Sequence, residues 1–297
     1  MKFQLIDEEK THHAVSCMSC VPGVSRAGYH AWKKRGPSAR RREDEQLKVR
    51  IKEIHEASLG IYGAPRVHAE LADAQGIKVG GKRAARLMKE MGMEGVSRRG
   101  KRKAKKAHAE VPAAPDLVKR DFPATRPDEL WVADITYIQT WEGWLFLAAI
   151  IDMCTKLCCG WSMRDDLTAD LALDALGMAV TLRRPKLETN HHSDRGSQYR
   201  SLAIGKTLRE SGIMASMGSK GDAFDNAAAE SFMATIKTEL AYRNTFKTGD
   251  EARLAGLRYI EGFYNPVRRH SAIGYKSPVE YERMLMATGQ AATAVAF

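Results

Sequence analysis

The chain has 297 residues, 44% of them hydrophobic, which leaves room for about two domains and a substantial core. It has no run of about 18 apolar residues, which excludes a membrane-spanning helix. Residues 1–10 carry Asp7, Glu8 and Glu9 and no apolar stretch, so no signal peptide is expected and a cytoplasmic location is the default. The net charge of +11, from 47 basic and 36 acidic residues, favours a polyanionic partner.

Five cysteines agree with a reducing compartment; Cys154, Cys158 and Cys159 lie in apolar sequence and read as small core residues. Cys17 and Cys20, with His12 and His13 upstream, have the elements of a zinc site. Adjacent histidines are poorly disposed to form a ligand pair, so zinc is the weaker reading. Ser25 is placed to cap a short helix bearing Tyr29 and Trp32.

Leu47, Ile51 and Ile54 recur at helical spacing over residues 43–59, and Gly60 ends that helix. Pro65 suits the first turn of a second helix with Val67 and Leu71 inward, and Gly76 lies beyond its end. A turn at residues 77–81 leads to a third helix over 82–91, carrying Lys82, Arg83, Arg86 and Lys89. Two short helices about a Gly-containing turn fit a helix-turn-helix, with the third helix facing a DNA groove. Pattern alone does not separate this from an ordinary helical hairpin with a solvated basic face.

The positive charge is clustered. Lys33, Lys34, Arg35, Arg40, Arg41 and Arg42 form one group. Arg98, Arg99, Lys101, Arg102, Lys103, Lys105 and Lys106 form another, seven basic residues in nine. Such blocks repel themselves unless a phosphate backbone neutralises them. Prolines 112, 115, 123 and 127 follow, so residues 97–127 read as a linker between basic helices and a core.

From Asp128 onward the pattern is strand-like. Residues 131–139, 144–152 and 157–163 read as successive strands, 168–183 as an amphipathic helix, and 187–192 as a fourth strand. A helix over 201–211, a fifth strand over 213–217 and a helix over 227–240 follow. This is a mixed-sheet α/β layout.

Three acids stand out in it. Asp134 interrupts an apolar, β-branched and aromatic strand, where a charge is costly unless something such as a cation compensates it. Asp194 follows the fourth strand at the point where it breaks into a Gly-containing loop, the kind of position where ligands gather in open α/β sheets. Glu230 lies on a helix whose N-cap is Asp222 or Asp225. Phe232 and Ile236 point away from it, and Asn226 and Lys237 fall on its side. Asp152 reads as a turn carboxylate, Asp165 and Asp166 as loop residues.

Oxygen donors without sulfur or clustered imidazole suit Mg²⁺ or Mn²⁺, and three acids suffice for two ions clamping a phosphodiester. With 36 acids in the chain, the 35 residues between Asp194 and Glu230 decide nothing by themselves. His192 is a further candidate to orient Asp194 or touch substrate, a structural role being an equal alternative.

Beyond residue 242 the chain is helical. Asp250 is placed to cap a helix with Leu254, Leu257, Ile260 and Tyr264 at core spacing. Tyr264-Asn265-Pro266 stops it, and Arg268, Arg269 and His270 add a cationic corner. Ser277-Pro278-Val279-Glu280 opens a short final helix, and residues 287–297 are expected to fray.

The words HSDRGSQY, DNAAAESFMATIKTEL and YNPVRRHSAIGYKSPVEYE resemble transposases of the insertion sequence 3 family, specifically the second-reading-frame (OrfB) product with its retroviral-integrase-type catalytic core. The resemblance spans roughly residues 23–284. It implies a ribonuclease H-like fold and a metal-binding catalytic triad on Asp134, Asp194 and Glu230, with Lys237 approaching a DNA end. It also implies cleavage and 3′-hydroxyl strand transfer at the inverted repeats of an insertion element. A homo-oligomer on DNA in the bacterial nucleoid and an upstream-frame (OrfA) fusion partner go with it, and it favours DNA binding for the basic helices.

The expected organisation is an N-terminal helical region over 1–60, a helix-turn-helix-like module over 61–96 and the linker over 97–127. An integrase-type core over 128–245 and a helical extension over 246–297 complete it. A catalytically silent DNA-binding regulator and a nuclease acting on RNA–DNA hybrids are the alternatives. The intact acidic set argues against the first, and the basic N-terminal helices against the second.

Overall fold

The computed structural model describes residues 2–21, 23–97, 124–185, 189–193, 198–199, 201–217 and 227–294. Six helices come first: α1 (Lys2–Glu9), α2 (Val15–Cys20), α3 (Arg26–Lys34), α4 (Ala39–Ala57), α5 (Ala64–Asp73) and α6 (Gly81–Glu90). Ser25 caps α3 by accepting from the Gly28 N–H, and Ser38 caps α4 through Arg41. The acidic start is helical too: Ile6 buries itself and Asp7 accepts from the Tyr29 hydroxyl at 2.7 Å.

The sheet follows as β1 (Leu130–Thr140), β2 (Gly143–Asp152), β3 (Cys158–Arg164), β4 (Asn190–Ser193) and β5 (Met214–Met217). Helix α7 (Ala169–Arg183) connects β3 to β4, and α8 (Leu202–Glu210) connects β4 to β5. The spatial order is β3-β2-β1-β4-β5; β1 to β3 form an antiparallel meander, and β4 and β5 run parallel to β1. The strand expected over 187–192 is observed at Asn190–Ser193, with residues 187 and 188 outside the described set. Its polar sequence pairs on both sides because β1 and β5 flank it.

Each face of the sheet has its own cover. Trp131, Ala133, Ala148 and Ile150 meet Leu171, Ala175, Leu176 and Ala179 of α7 and Leu208 of α8. Gly160 makes this approach possible, since a Cβ there would lie 2.2 Å from the Ala175 carbonyl oxygen. On the other face Val132, Ile138, Leu147 and Ile151 meet helix α9 (Ala227–Glu239) through Phe232, Met233 and Ile236.

Helix α10 (Gly249–Tyr259) runs into a π-helical turn at Ile260–Tyr264, and α11 (Pro278–Ala294) closes the described chain. Two expectations change here. Thr248, not Asp250, caps α10, its hydroxyl accepting from Glu251 N–H at 3.1 Å, while Asp250 pairs with Arg253. The final helix is not short: it continues to Ala294, the alanines of its second half outweighing Gly289.

The core of α4 to α6, built from Ile51, Ile54, Val67, Leu71 and Leu87, is continuous with the core under α9 through Ile61, Tyr62 and Phe263. The segment expected as a linker therefore separates these helices from the sheet in the chain but not in space.

Candidate active site

Strand β1 carries the first acid to a particular place. Among the described residues, the parallel ladder between β1 and β4 pairs Leu130 with Asn190, Trp131 with His191, Val132 with His192 and Ala133 with Ser193. Asp134 is the next residue on β1, and it pairs with Ala149 of β2. Alternation puts it with Val132 and Ile138 on the face that α9 covers. It is half-buried, and its Oδ1 accepts from the Ile135 N–H at 2.8 Å.

Asp194 follows directly after Ser193, the last paired residue of β4, and lies outside the described residues, as does Asn226. His192 shares the face of Val132 and is buried, with Nδ1 2.9 Å from the Ser216 hydroxyl on β5. Its neighbour His191 points into the opposite layer beside Tyr199, where burial holds its pKa down to about 4 and the ring stays neutral.

Helix α9 presents the third acid. Phe232, Met233 and Ile236 fix its buried face, leaving Glu230 exposed in its first turn. Two turns later the Lys237 ammonium sits 4.3 Å from the centre of the Tyr137 ring, itself edge-on to Trp144 at 5.0 Å. Tyr137 and Trp144 are both about half-exposed, at 52% and 50%. A cation over exposed aromatics is a surface suited to a nucleic-acid strand.

Other sequence-derived candidates have different surroundings. Arg268 and Arg269 are a correction: neither faces solvent, with 4% and 6% of their surface exposed. The Arg268 fork donates to both oxygens of Glu239, at 2.7 and 2.6 Å, and the Tyr259 hydroxyl donates to the same carboxylate at 2.6 Å. Burial pushes the Glu239 carboxyl up, but Arg268 outweighs it and holds the group below its ordinary range. Arg269 pairs with Glu70 and, at 3.0 Å, with Asp73 of α5. Neither guanidinium forms part of an exposed DNA-facing surface: Arg268 ties the C-terminal segment to α9, and Arg269 ties it to α5.

On α6, Lys82 is exposed, whereas Arg83 and Arg86 both bind Asp44 of α4 at 2.7 Å. Arg98, Arg99, Lys101, Arg102 and Lys103 lie outside the described residues. Asp152 is the turn carboxylate expected: wholly buried, it accepts from the Asp128 N–H, the Thr155 N–H and the Thr155 hydroxyl. Cys17 and Cys20 are exposed on α2, and among the described residues no three His, Cys, Asp or Glu side chains gather as a metal-holding group.

Glu239, Tyr259 and Tyr62 were not singled out by the sequence. A charge in the last turn of an otherwise apolar helix face was the available signal for Glu239. Tyr62 gave none, yet its hydroxyl donates to the Val267 carbonyl and accepts from the Arg269 N–H, both at 2.9 Å.

The chain matches known families along most of its length. Integrase core domain models match residues 124–223 and 211–278, and an HTH-like domain model matches residues 41–102. It is 42% identical over 264 residues to the insertion element IS600 uncharacterized 31 kDa protein of Shigella sonnei, covering 89% of this chain and 97% of that protein. It is 34% identical over 290 residues to transposase InsF for insertion sequence IS3A of Escherichia coli (strain K12), covering 97% and 100%. Among solved structures, the HTLV-2 integrase catalytic core domain in complex with magnesium aligns with 53% of this chain and 97% of that one, at 16% identity and a TM-score of 0.41. With a five-stranded mixed sheet of the ribonuclease H-like, integrase-core type and helices before it, this chain belongs to the transposases of the insertion sequence 3 family.

Proposed function

We propose that Asp134, Asp194 and Glu230 form one divalent-metal site at which the chain cuts the ends of an insertion element and joins the freed 3′-hydroxyl to a second DNA. The observation that carries this is the β1–β4 register: Ala133 pairs with Ser193, and each of the two is followed in the chain by an aspartate. Continuing the same parallel register by one residue would bring the two carboxylates side by side. Glu230 and Lys237 are seven residues apart, about 10 Å along a helix. Asp134 and Tyr137 are three apart, also about 10 Å along a strand. Lys237 over Tyr137 is therefore consistent with Glu230 standing at the level of Asp134.

The donor set fits the ion. Carboxylate oxygens alone select a hard cation, Mg²⁺ or Mn²⁺, and three of them suit a pair of ions that retain waters and take phosphate oxygens as remaining ligands. When bound, the metal supplies Lewis-acid chemistry at the attacking and leaving oxygens of the phosphodiester. The residues of the chain do the positioning. β1 holds Asp134 rigidly, with the Ile135 N–H fixing one carboxylate oxygen. His192 stands on the same face, oriented by Ser216. Lys237 supplies positive charge to a backbone phosphate beside the Tyr137–Trp144 pair.

DNA ends are delivered by the helical module over 61–96 with Lys82 foremost, by Asn226 on the approach to α9, and by the basic run Arg98, Arg99, Lys101, Arg102 and Lys103 at the start of the 97–127 segment. Function in a homo-oligomer on DNA, with an upstream-frame partner, completes the reading, and the 128–245 core and 246–297 extension act as one body. Relatives that are transposases over nearly the whole chain do not favour a silent regulator. The test is Asp194→Asn assayed for cleavage and joining of terminal-repeat DNA with Mg²⁺. Loss of at least a hundredfold in both steps is expected, and wild-type rates in the variant would refute the assignment.

A further inference from the structure

A cleft of about 270 Å³ opens beside α9, lined by Arg66 of α5, Lys156 of the β2–β3 turn, Ser231 and Thr235 of α9, and Arg268 and His270. Three cations meet there, and the carboxylates near them are already committed. Glu239 has both oxygens engaged by Arg268 and one by Tyr259, and lies 3.6 Å from Arg66. Asp152, close to Lys156, accepts three bonds from its own turn. Two guanidiniums thus share one carboxylate, and the Lys156 ammonium donates to a neutral group, the Met153 carbonyl, at 2.7 Å.

His270 does not relieve the excess. Burial, then the charge of Arg268, holds its pKa down to about 2, so it stays neutral with Nε2 3.1 Å from an Arg268 nitrogen. Burial and Arg268 likewise lower Arg66, and burial lowers Lys156. Partly desolvated positive charge in excess of its carboxylates, facing a cavity, is costly, and an anion in the cavity offsets that cost.

We propose that this cleft binds a phosphate group, and that the phosphate belongs to the DNA backbone. The position argues for DNA over free phosphate. Ser231 follows Glu230 directly, and Ile151 of the cleft wall sits in register with Val132, two residues before Asp134 on the same face of the sheet. Arg66 comes from the helical module, so one phosphate here touches both the module and the helix bearing Glu230. The assignment of DNA as the source rests on the proposed function; the anion site itself does not.

Two measurements on the full chain separate these. Melting is followed in inorganic phosphate and in chloride at equal ionic strength. The wild type is expected to melt higher in phosphate, and Lys156→Gln to lose that difference while keeping the wild-type melting point in chloride. Affinity for a fixed DNA duplex is then measured across a salt series by fluorescence anisotropy. Each phosphate contact contributes about 0.9 to the slope of log K against log salt, so Lys156→Gln should flatten it by about that amount and Lys156→Arg should restore it. A wild type indifferent to phosphate overturns the site. A phosphate effect with unaltered slopes overturns its assignment to DNA. Neither readout depends on cleavage or joining, so failure of the metal site would leave both interpretable.

Discussion

The two ends of α9 carry one glutamate each, and the two could hardly be used more differently. Glu239, in the last turn, is 7% exposed and saturated by Arg268 and Tyr259. Glu230, in the first turn, is exposed. One end of the helix uses its carboxylate to join distant segments of the chain. The other leaves it accessible to a ligand. Anchoring at the far end gives the near end a defined position, as the proposed metal site would need, since such a site tolerates little displacement of its donors.

The largest effect should come from breaking the buried end. Arg268→Ala removes the fork that engages both oxygens of the buried Glu239 and is expected to cost about 3–5 kcal/mol, read as a fall in the urea midpoint. Wild-type stability in that variant would show that the pair anchors nothing. Next is the packing of the opposite face: Gly160→Ala drives a methyl into the Ala175 carbonyl and should cost about 1–3 kcal/mol.

The same pair predicts a pH dependence. The folded-state pKa of Glu239 lies below its unfolded value, so its contribution is present above the unfolded pKa and is lost as pH falls through the folded one. The drop in stability on acidification below the usual glutamate range should be shallower in Glu239→Gln, compared by denaturant titration at each pH. The smallest stability effect is expected at the open end. Lys237→Ala removes an exposed cation–aromatic contact and should cost under about 1 kcal/mol. Its loss should appear instead as weaker binding of DNA.

The difference between the two ends also marks what was legible in the sequence. β1, β2, β3 and α7 lie within a residue of their expected bounds, because apolar periodicity and turn chemistry are local. The cap residue Ser25 is a local signal too. Asp134 was readable because a charge inside a β-branched run breaks the pattern around it.

Partners distant in the chain left no such mark. Arg268 and Arg269 looked like a cationic surface because Glu239, Glu70 and Asp73 are far away in sequence, and only the fold reveals that they neutralise it. Arg83 and Arg86 are similar, tied to Asp44 across helices. The docking of α4 to α6 under α9 likewise rests on Tyr62 and Arg66 reaching residues about two hundred positions on.

The claim on which the functional account stands is that Asp134, Asp194 and Glu230 converge on one ion. Iron-directed cleavage tests it directly: Fe²⁺ replaces Mg²⁺, ascorbate and peroxide generate hydroxyl radicals at the bound metal, and the backbone cuts are mapped by mass spectrometry. The account predicts three clusters of cuts, around residues 134, 194 and 230, all suppressed by excess Mg²⁺ and by Asp134→Asn. Cuts confined to one of these segments, or unaffected by that substitution, would contradict it.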